Sequence, residues 1–444
     1  MKASYIPLIA AAAMLASCKP TIKGVTPSSG EANFSYYVAI GNSLTAGYAD
    51  GSLYRSGQEN SYPAMLGKQF MTVGGGEFRQ PLLPGNAGWP APKRVLGYTT
   101  SCDGVTGLGV KLYAGASDTS GSATNISGQG PFNNLGVPGI RCVDYTVAGY
   151  AAIAQALAGV GYAARMYPHP ATDRPIDIAA ASNPTFFTMW LGSNDVLGYA
   201  TNGGEGNGTG GAMPTDISTT AAFEASYNAV VDAMTLKGAK GVLINIPDVT
   251  TIPYFTTIPG RGLVLTSQTQ VTALNAAYAP LGITFALGAN AFIIQDPAAP
   301  GGLRQIKSNE YLLLTLPQDS LKCGGWGSVK PIPKKYVLDE TEVGYVRSAT
   351  NTFNEIIRSA AIRKGLGYVD AHSYLGTLQS GIRFNGVTLT PTFVSGGAFS
   401  LDGVHLTPKG YALMANEIIR VINSTYKSSV PQVDINNYNG VLFP

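Results

Sequence analysis

At 444 residues, with 45% hydrophobic and only 12% charged side chains, the chain can bury a large α/β core and carries an unusually uncharged surface. Its net charge of +3 is small for this length, and no cluster of Lys and Arg with interleaved aromatics is present, which argues against a nucleic-acid partner. The 55 glycines and 28 prolines require many turns outside regular elements.

In chain order, Lys2 precedes an apolar run from Tyr5 to Leu15 that is too short to span a bilayer and is laid out as a secretory signal peptide over residues 1–17. The quartet Leu15-Ala16-Ser17-Cys18 resembles the lipobox of bacterial lipoproteins, which implies acylation of Cys18 as the mature N-terminus. An ordinary cleaved signal that contains a cysteine is the alternative. Lys19 stands where Asp would favour inner-membrane retention. The resemblance therefore implies a lipid-anchored protein of the cell envelope, attached to the outer membrane on its periplasmic face or at the cell surface. Residues 18–33 read as a tether, 34–426 as the main domain and 427–444 as a C-terminal tail.

The apolar runs Tyr36–Ile40, Thr185–Leu191, Gly241–Ile246 and Gly367–Val369 are continuous rather than alternating, which suits strands covered on both faces of a parallel sheet. Helical spacing marks Thr220–Leu236, Glu342–Arg363 and a last helix that starts at Thr407-Pro408, an N-cap and first-turn proline, and runs to about Tyr426. This alternation predicts a three-layer α/β/α sandwich. Residues 71–133 and 250–340 break the rhythm and are expected to be two large loop insertions beside a cleft, with a short helix around Val271–Tyr278. Gly203–Gly211 reads as a glycine loop. Beyond the tether stand Cys102, Cys142 and Cys323, enough for one disulfide and one thiol in an oxidising compartment. Cys102–Cys142 is the expected pair, closing a loop of about 40 residues for ~4 kcal/mol on the chain-entropy model.

Four remote segments carry chemistry: Gly41-Asn42-Ser43-Leu44-Thr45-Ala46-Gly47, Asn134-Leu135-Gly136-Val137-Pro138-Gly139, Gly192-Ser193-Asn194-Asp195 and Asp402-Gly403-Val404-His405. Ser43 follows a strand and opens a turn, where a side chain projects into the crevice at the carboxyl end of a parallel sheet. It is not the Gly-x-Ser-x-Gly elbow, because Thr45 occupies the second glycine position. Asp402 and His405 share one loop in front of the last helix, so a carboxylate can orient the imidazole that takes the Ser43 proton. Asn194 can offer an amide, and Gly139 and Ser43 backbone N–H groups, to a developing oxyanion. Each segment taken alone reads equally as a polar turn or a cap; acyl transfer is what unites them. Only three histidines are present. His169 lies between prolines without an evident acidic orienter, and Asp370/His372 is the one rival pair. So few scattered histidines argue against a His-rich zinc site.

With these residues the chain resembles the SGNH hydrolases, the GDSL esterase/lipase family, over residues 35–50, 130–145, 183–200, 240–248 and 342–426. The four family residues fall on Ser43, Gly139, Asn194 and His405, with Asp402 as third triad member. The resemblance implies a flavodoxin-like α/β/α fold and a serine mechanism without metal or cofactor. One departure is Asn42, where the family has aspartate; that aspartate is not a triad member. The implied function is a serine esterase that hydrolyses carboxylic ester bonds through an acyl-enzyme at Ser43. A carbohydrate O-deacetylase of the same fold and a catalytically dead lipid-anchored binding protein are the alternatives. A groove lined by exposed aromatics, with Trp89, Tyr98 and Trp326 as candidates, would favour glycans; a closed apolar tunnel would favour lipids.

Overall fold

The structure, a computed structural model, describes residues 26–115 and 120–444. The signal peptide, the lipobox with Cys18 and the first half of the tether lie outside the described residues.

Five parallel strands form the centre: β1 (Tyr37–Gly41), β2 (Asn134–Gly136), β3 (Phe186–Trp190), β4 (Lys240–Ile244) and β5 (Gly367–Val369). Their spatial order is β2-β1-β3-β4-β5, the flavodoxin-like order. Every residue of β1 and β3 is buried, as continuous apolar runs require when helices cover both faces. The strand order reverses between β1 and its two neighbours, which opens a crevice at the carboxyl end of β1.

Seven helices matter for the site. The single turn α1 (Ser43–Ala46) follows β1, and α2 is Tyr62–Met71. Then come α3 (Pro175–Ala181), α4 (Asn194–Thr201), α5 (Thr220–Thr235), α6 (Glu340–Lys364) and α7 (Pro408–Tyr426). Helices α2 and α7 pack together on one face of the sheet, and α3, α5 and α6 on the other. The expected boundaries of α5, α6 and α7 fall within about two residues because each start carries a cap. Thr219 caps α5, an Asp339–Glu342 capping box starts α6, and Thr407 Oγ1 accepts the Gly410 N–H at the start of α7. Past α7, the chain turns back: Asn416 and Asn423 side chains bond the Val433 and Val430 carbonyls, and Val430, Val433 and Ile435 are buried.

Residues 71–133 contain an antiparallel hairpin, Arg94–Thr100 paired with Thr106–Leu112, in which Tyr98 faces Leu108. Residues 250–340 have two apolar cores of their own, one around Phe292, Ile294 and Ile332, the other around Val271, Leu274 and Phe285. The expected short helix is Gln268–Tyr278. This segment also buries an ionic knot, with Arg304 bidentate to Glu310 at 2.6 and 2.8 Å.

The disulfide differs from the expectation. Cys102 pairs with Cys323, with a Cα–Cα distance of 6.3 Å, and Cys142 is a free, fully buried thiol. Sequence proximity misleads here because Cys142 follows β2 into the main core. Its backbone N–H bonds Asp195, and its Sγ lies 3.9 Å from the Phe223 carbonyl. Cys102 instead sits at the exposed hairpin tip beside Asp319 and Lys322, and Lys322 Nζ reaches Asp103 at 2.7 Å. The bridge spans 221 residues. Closing so long a loop contributes about 5 kcal/mol on the chain-entropy model. Without reductant, denaturation should expose Cys142 as the one alkylatable thiol among these three cysteines, and peptide mapping should recover a linked Cys102–Cys323 pair. A Cys102–Cys142 peptide would contradict this pairing.

Candidate active site

The crevice is built from the ends of three strands. At the end of β1, a Cβ on Gly41 would lie 2.0 Å from Thr45 Oγ1 and 2.7 Å from the Trp190 carbonyl, so only glycine lets the chain turn there. Asn42 then accepts the Leu44 N–H with its side-chain oxygen at 3.0 Å and caps α1. Gly47, at φ +80°, closes the same turn by donating to the Ser43 carbonyl. Ser43 is thus fixed as the first residue of a one-turn helix, and its own N–H belongs to the first turn, which has no intrahelical acceptor. The cap at position 42 requires an acceptor oxygen and no charge, and asparagine supplies it.

Ser43 Oγ lies 2.8 Å from His405 Nε2, and His405 Nδ1 lies 2.8 Å from Asp402 Oδ2. An ionised Asp402 only accepts, so Nδ1 carries the proton and Nε2 presents its lone pair to the serine hydroxyl. Asp402 is buried, which by itself would raise its pKa. The electrostatic attraction and hydrogen bond of the His405 ring and the backbone donors override that and hold the carboxyl far below the usual range. Val404 N and His405 N both donate to Oδ1 at 2.8 Å, Ser400 Oγ at 3.1 Å, and Gly51 N donates to Oδ2 at 2.9 Å.

The Gly51 contact comes from a loop that sequence reasoning left unused. Asp50 and Gly51 both have positive φ, +55° and +75°, which aims the Gly51 N–H at Asp402. Asp50 in turn accepts from Leu401 N at 3.0 Å and from the Tyr54 hydroxyl at 2.7 Å, while its N–H donates to Ser400 Oγ. The two loops therefore clasp each other on both sides of the carboxylate. Tyr48 lays its ring 4.6 Å from the His405 ring, and burial pushes its phenol up to about 12. The Asp50-Gly51 dipeptide was a visible turn signal; its partner 350 residues away was not.

Register places the remaining segments at the same end. Gly41 pairs with Gly136 and with Trp190, and Val137 N donates to the Gly41 carbonyl. Gly139 lies two residues on, exposed and at φ +83°. Asn194 opens α4 and donates one amide hydrogen to the Ile140 carbonyl at 2.9 Å, leaving the second. Beside it, Asp195 is wholly buried and accepts Cys142 N at 2.6 Å and Val143 N at 3.4 Å. Burial raises its pKa to about 7 against the pull of those donors and Ser218. Asn194 and Asp195 together strap the Gly139 turn to the end of β3. The quartet was singled out in the sequence, but no role for Asp195 was legible there.

The other histidines stand apart. His169 is largely exposed and, contrary to expectation, has an acid close by: its Nδ1 lies 3.5 Å from Asp173. Asp370 caps the short helix Ala371–Gly376, and the His372 N–H donates to the Asn245 side chain. This pair ends β5, three strand spacings, about 14 Å, from β1.

Strand order and site define a class of three-layer α/β/α proteins with a Ser–His–Asp relay at the carboxyl ends of the strands. The sequence profile of the GDSL-like Lipase/Acylhydrolase family matches residues 37–418, and the chain belongs to that family, whose members act as hydrolases on esters. Among solved structures, one described as a GDSL-like lipase from Parabacteroides merdae is 10% identical, covering 89% of this chain and 99% of that one at a TM-score of 0.33. An extracellular lipase from Streptomyces rimosus is 13% identical, covering 88% and 99% at a TM-score of 0.34. A search of curated proteins returns no match.

The raised pKa of Asp195 has a stability consequence with a definite sign. Between about pH 4 and 7 the folded protein keeps a proton that the unfolded chain releases. This contribution is complete below pH 4 and is lost as pH rises through 7. Asp195→Asn lacks it and also turns an amide N–H₂ toward a backbone donor, at a cost of roughly 1–3 kcal/mol. The gap in melting temperature between wild type and Asp195→Asn should narrow from pH 5 to about pH 7 and level off above it; a constant gap would show that Asp195 does not titrate in this window.

Proposed function

We propose that the chain is a serine esterase that hydrolyses carboxylic esters through an acyl-enzyme. Ser43 Oγ attacks the carbonyl carbon as its proton passes to His405 Nε2, and Asp402 stabilises the imidazolium that forms. The oxyanion takes hydrogen bonds from the Ser43 and Gly139 N–H groups and the free amide hydrogen of Asn194. His405 then protonates the leaving alkoxide, and a water activated by the same imidazole releases the acid and restores Ser43. The observation that carries this reading is the unbroken hydrogen-bonded line from Ser43 through His405 to Asp402.

The dead-site alternative loses its motive, because Asn42 caps α1 through an acceptor oxygen and is no part of that line. Of the three aromatics that would favour a glycan, Trp89 is buried edge-on to Tyr162, Trp326 packs on Tyr336 within the insertion, and Tyr98 alone is well exposed. Lipid anchoring through Cys18 at the outer membrane belongs to the same proposal and rests on the lipobox resemblance alone; loss of fatty-acid labelling in Cys18→Ser is its test.

Ser43→Ala should lower kcat toward a short-chain p-nitrophenyl ester by at least about 10³-fold with an unchanged melting temperature. A fluorophosphonate probe should label wild type at Ser43 and leave the variant unlabelled. Undiminished turnover by Ser43→Ala would end the proposal. Asn42→Asp preserves the cap and should change kcat/KM by less than about threefold.

A further inference from the structure

Behind the triad carboxylate lies a cavity of about 770 Å³, within the ~300–1,000 Å³ range typical of small-molecule sites. Leu96, Leu108 and Val110 of the hairpin form one wall; Leu314, Phe393 and Phe443 stand among the residues of the others, and Leu401 and Asp402 close the end nearest the triad. Phe443 contributes while remaining 59% exposed, so the cavity opens to solvent beside it.

One cation stands in this wall. Arg94 is half-buried, and its side chain makes no ion pair or hydrogen bond among the described residues. Its backbone N–H donates to the Asp50 carbonyl at 2.8 Å, and its side chain runs close over Gly51, where a Cβ would fall 1.8 Å from Arg94 Nη1. The guanidinium therefore lies over the loop that clasps Asp402. Arg141 and Arg304 are matched by Asp144 and by Asp296 and Glu310, and the buried Arg165 is held by the Pro81 and Leu82 carbonyls. Asp402, the acid in the cavity wall, has both oxygens engaged by His405, Gly51 and its own loop. A partly desolvated, unmatched guanidinium beside apolar walls is complementary to an anionic head on an alkyl chain, since five fixed donors match a carboxylate or phosphate and the walls exclude water from the tail.

We propose that this cavity binds a single-chain anionic amphiphile, with the tail between the hairpin and Leu314 and the anionic group on Arg94. The inference rests on the esterase reading only for its kinetic meaning, the recognition of an anionic amphiphile as substrate or released acid; binding itself requires no turnover.

The test uses cis-parinaric acid, whose fluorescence rises on leaving water, its neutral methyl ester and dodecyl phosphate as competitor, all with the full-length Ser43→Ala protein, which cannot cleave the ester. The acid should bind saturably and at least about tenfold tighter than the methyl ester. Arg94→Gln should erase that preference, and Leu108→Trp, which fills the cavity from a half-exposed position, should weaken both ligands at least about tenfold. Displacement by dodecyl phosphate but not by inorganic phosphate would assign the site to amphiphiles rather than to free anions. Equal affinity for acid and ester, an unchanged preference in Arg94→Gln, or no saturable binding would overturn the proposal. Loss of turnover in Ser43→Ala is scored separately, so either reading can fall while the other stands.

Discussion

The site depends on one buried carboxylate being kept ionised. Asp402 is removed from water, and an isolated charge there would take up a proton. Donors from two loops 350 residues apart in sequence prevent this: the Asp402–His405 loop folds back on its own first residue, and the Gly51 N–H closes the other side. Fixing the charge fixes the tautomer of His405, and the tautomer decides whether Ser43 meets a lone pair or a proton. Asp50 makes the clasp reciprocal, so neither loop can shift without unpairing a buried polar group of the other.

A second strap organises the opposite side of the crevice. Asn194 holds the Ile140 carbonyl and Asp195 the Cys142 and Val143 N–H groups, so two consecutive residues at the start of α4 tie the Gly139 turn to the end of β3. Asp195 is tied without a matched cation, which leaves it close to neutrality. Asp402, in the triad, is held ionised. The contrast follows from environment: two backbone donors and a neighbouring Asp144 at one acid, an imidazole and several donors at the other.

Much of this was legible in the sequence. Strands β1, β3, β4 and β5 announce themselves by unbroken apolar runs, and α5, α6 and α7 by caps and periodicity. Ser43, Asp402, His405, Asn194 and Gly139 could be named because their local patterns are short and lie at strand or helix boundaries. β2 was not legible as a strand: Asn134-Leu135-Gly136 has no β signal of its own and exists because β1 supplies its ladder. Asp50, Gly51 and Asp195 act through partners that only tertiary structure brings near. Residues 250–340 looked like loop because glycine and proline interrupt them, yet apolar residues spread along the segment collect into two compact cores. The cysteine pairing failed for the same reason, since burial and not separation decides which thiols can meet.

That pairing bears on how the chain matures. A polypeptide emerging from its N-terminus presents Cys142 to Cys102 while Cys323 is still 181 residues from synthesis. The wrong bond is therefore available first, and it can be exchanged only while its sulfurs are accessible to an attacking thiolate. In the folded core the turn after β2 buries Cys142, which withdraws that thiol from exchange and leaves the exposed Cys102 to Cys323.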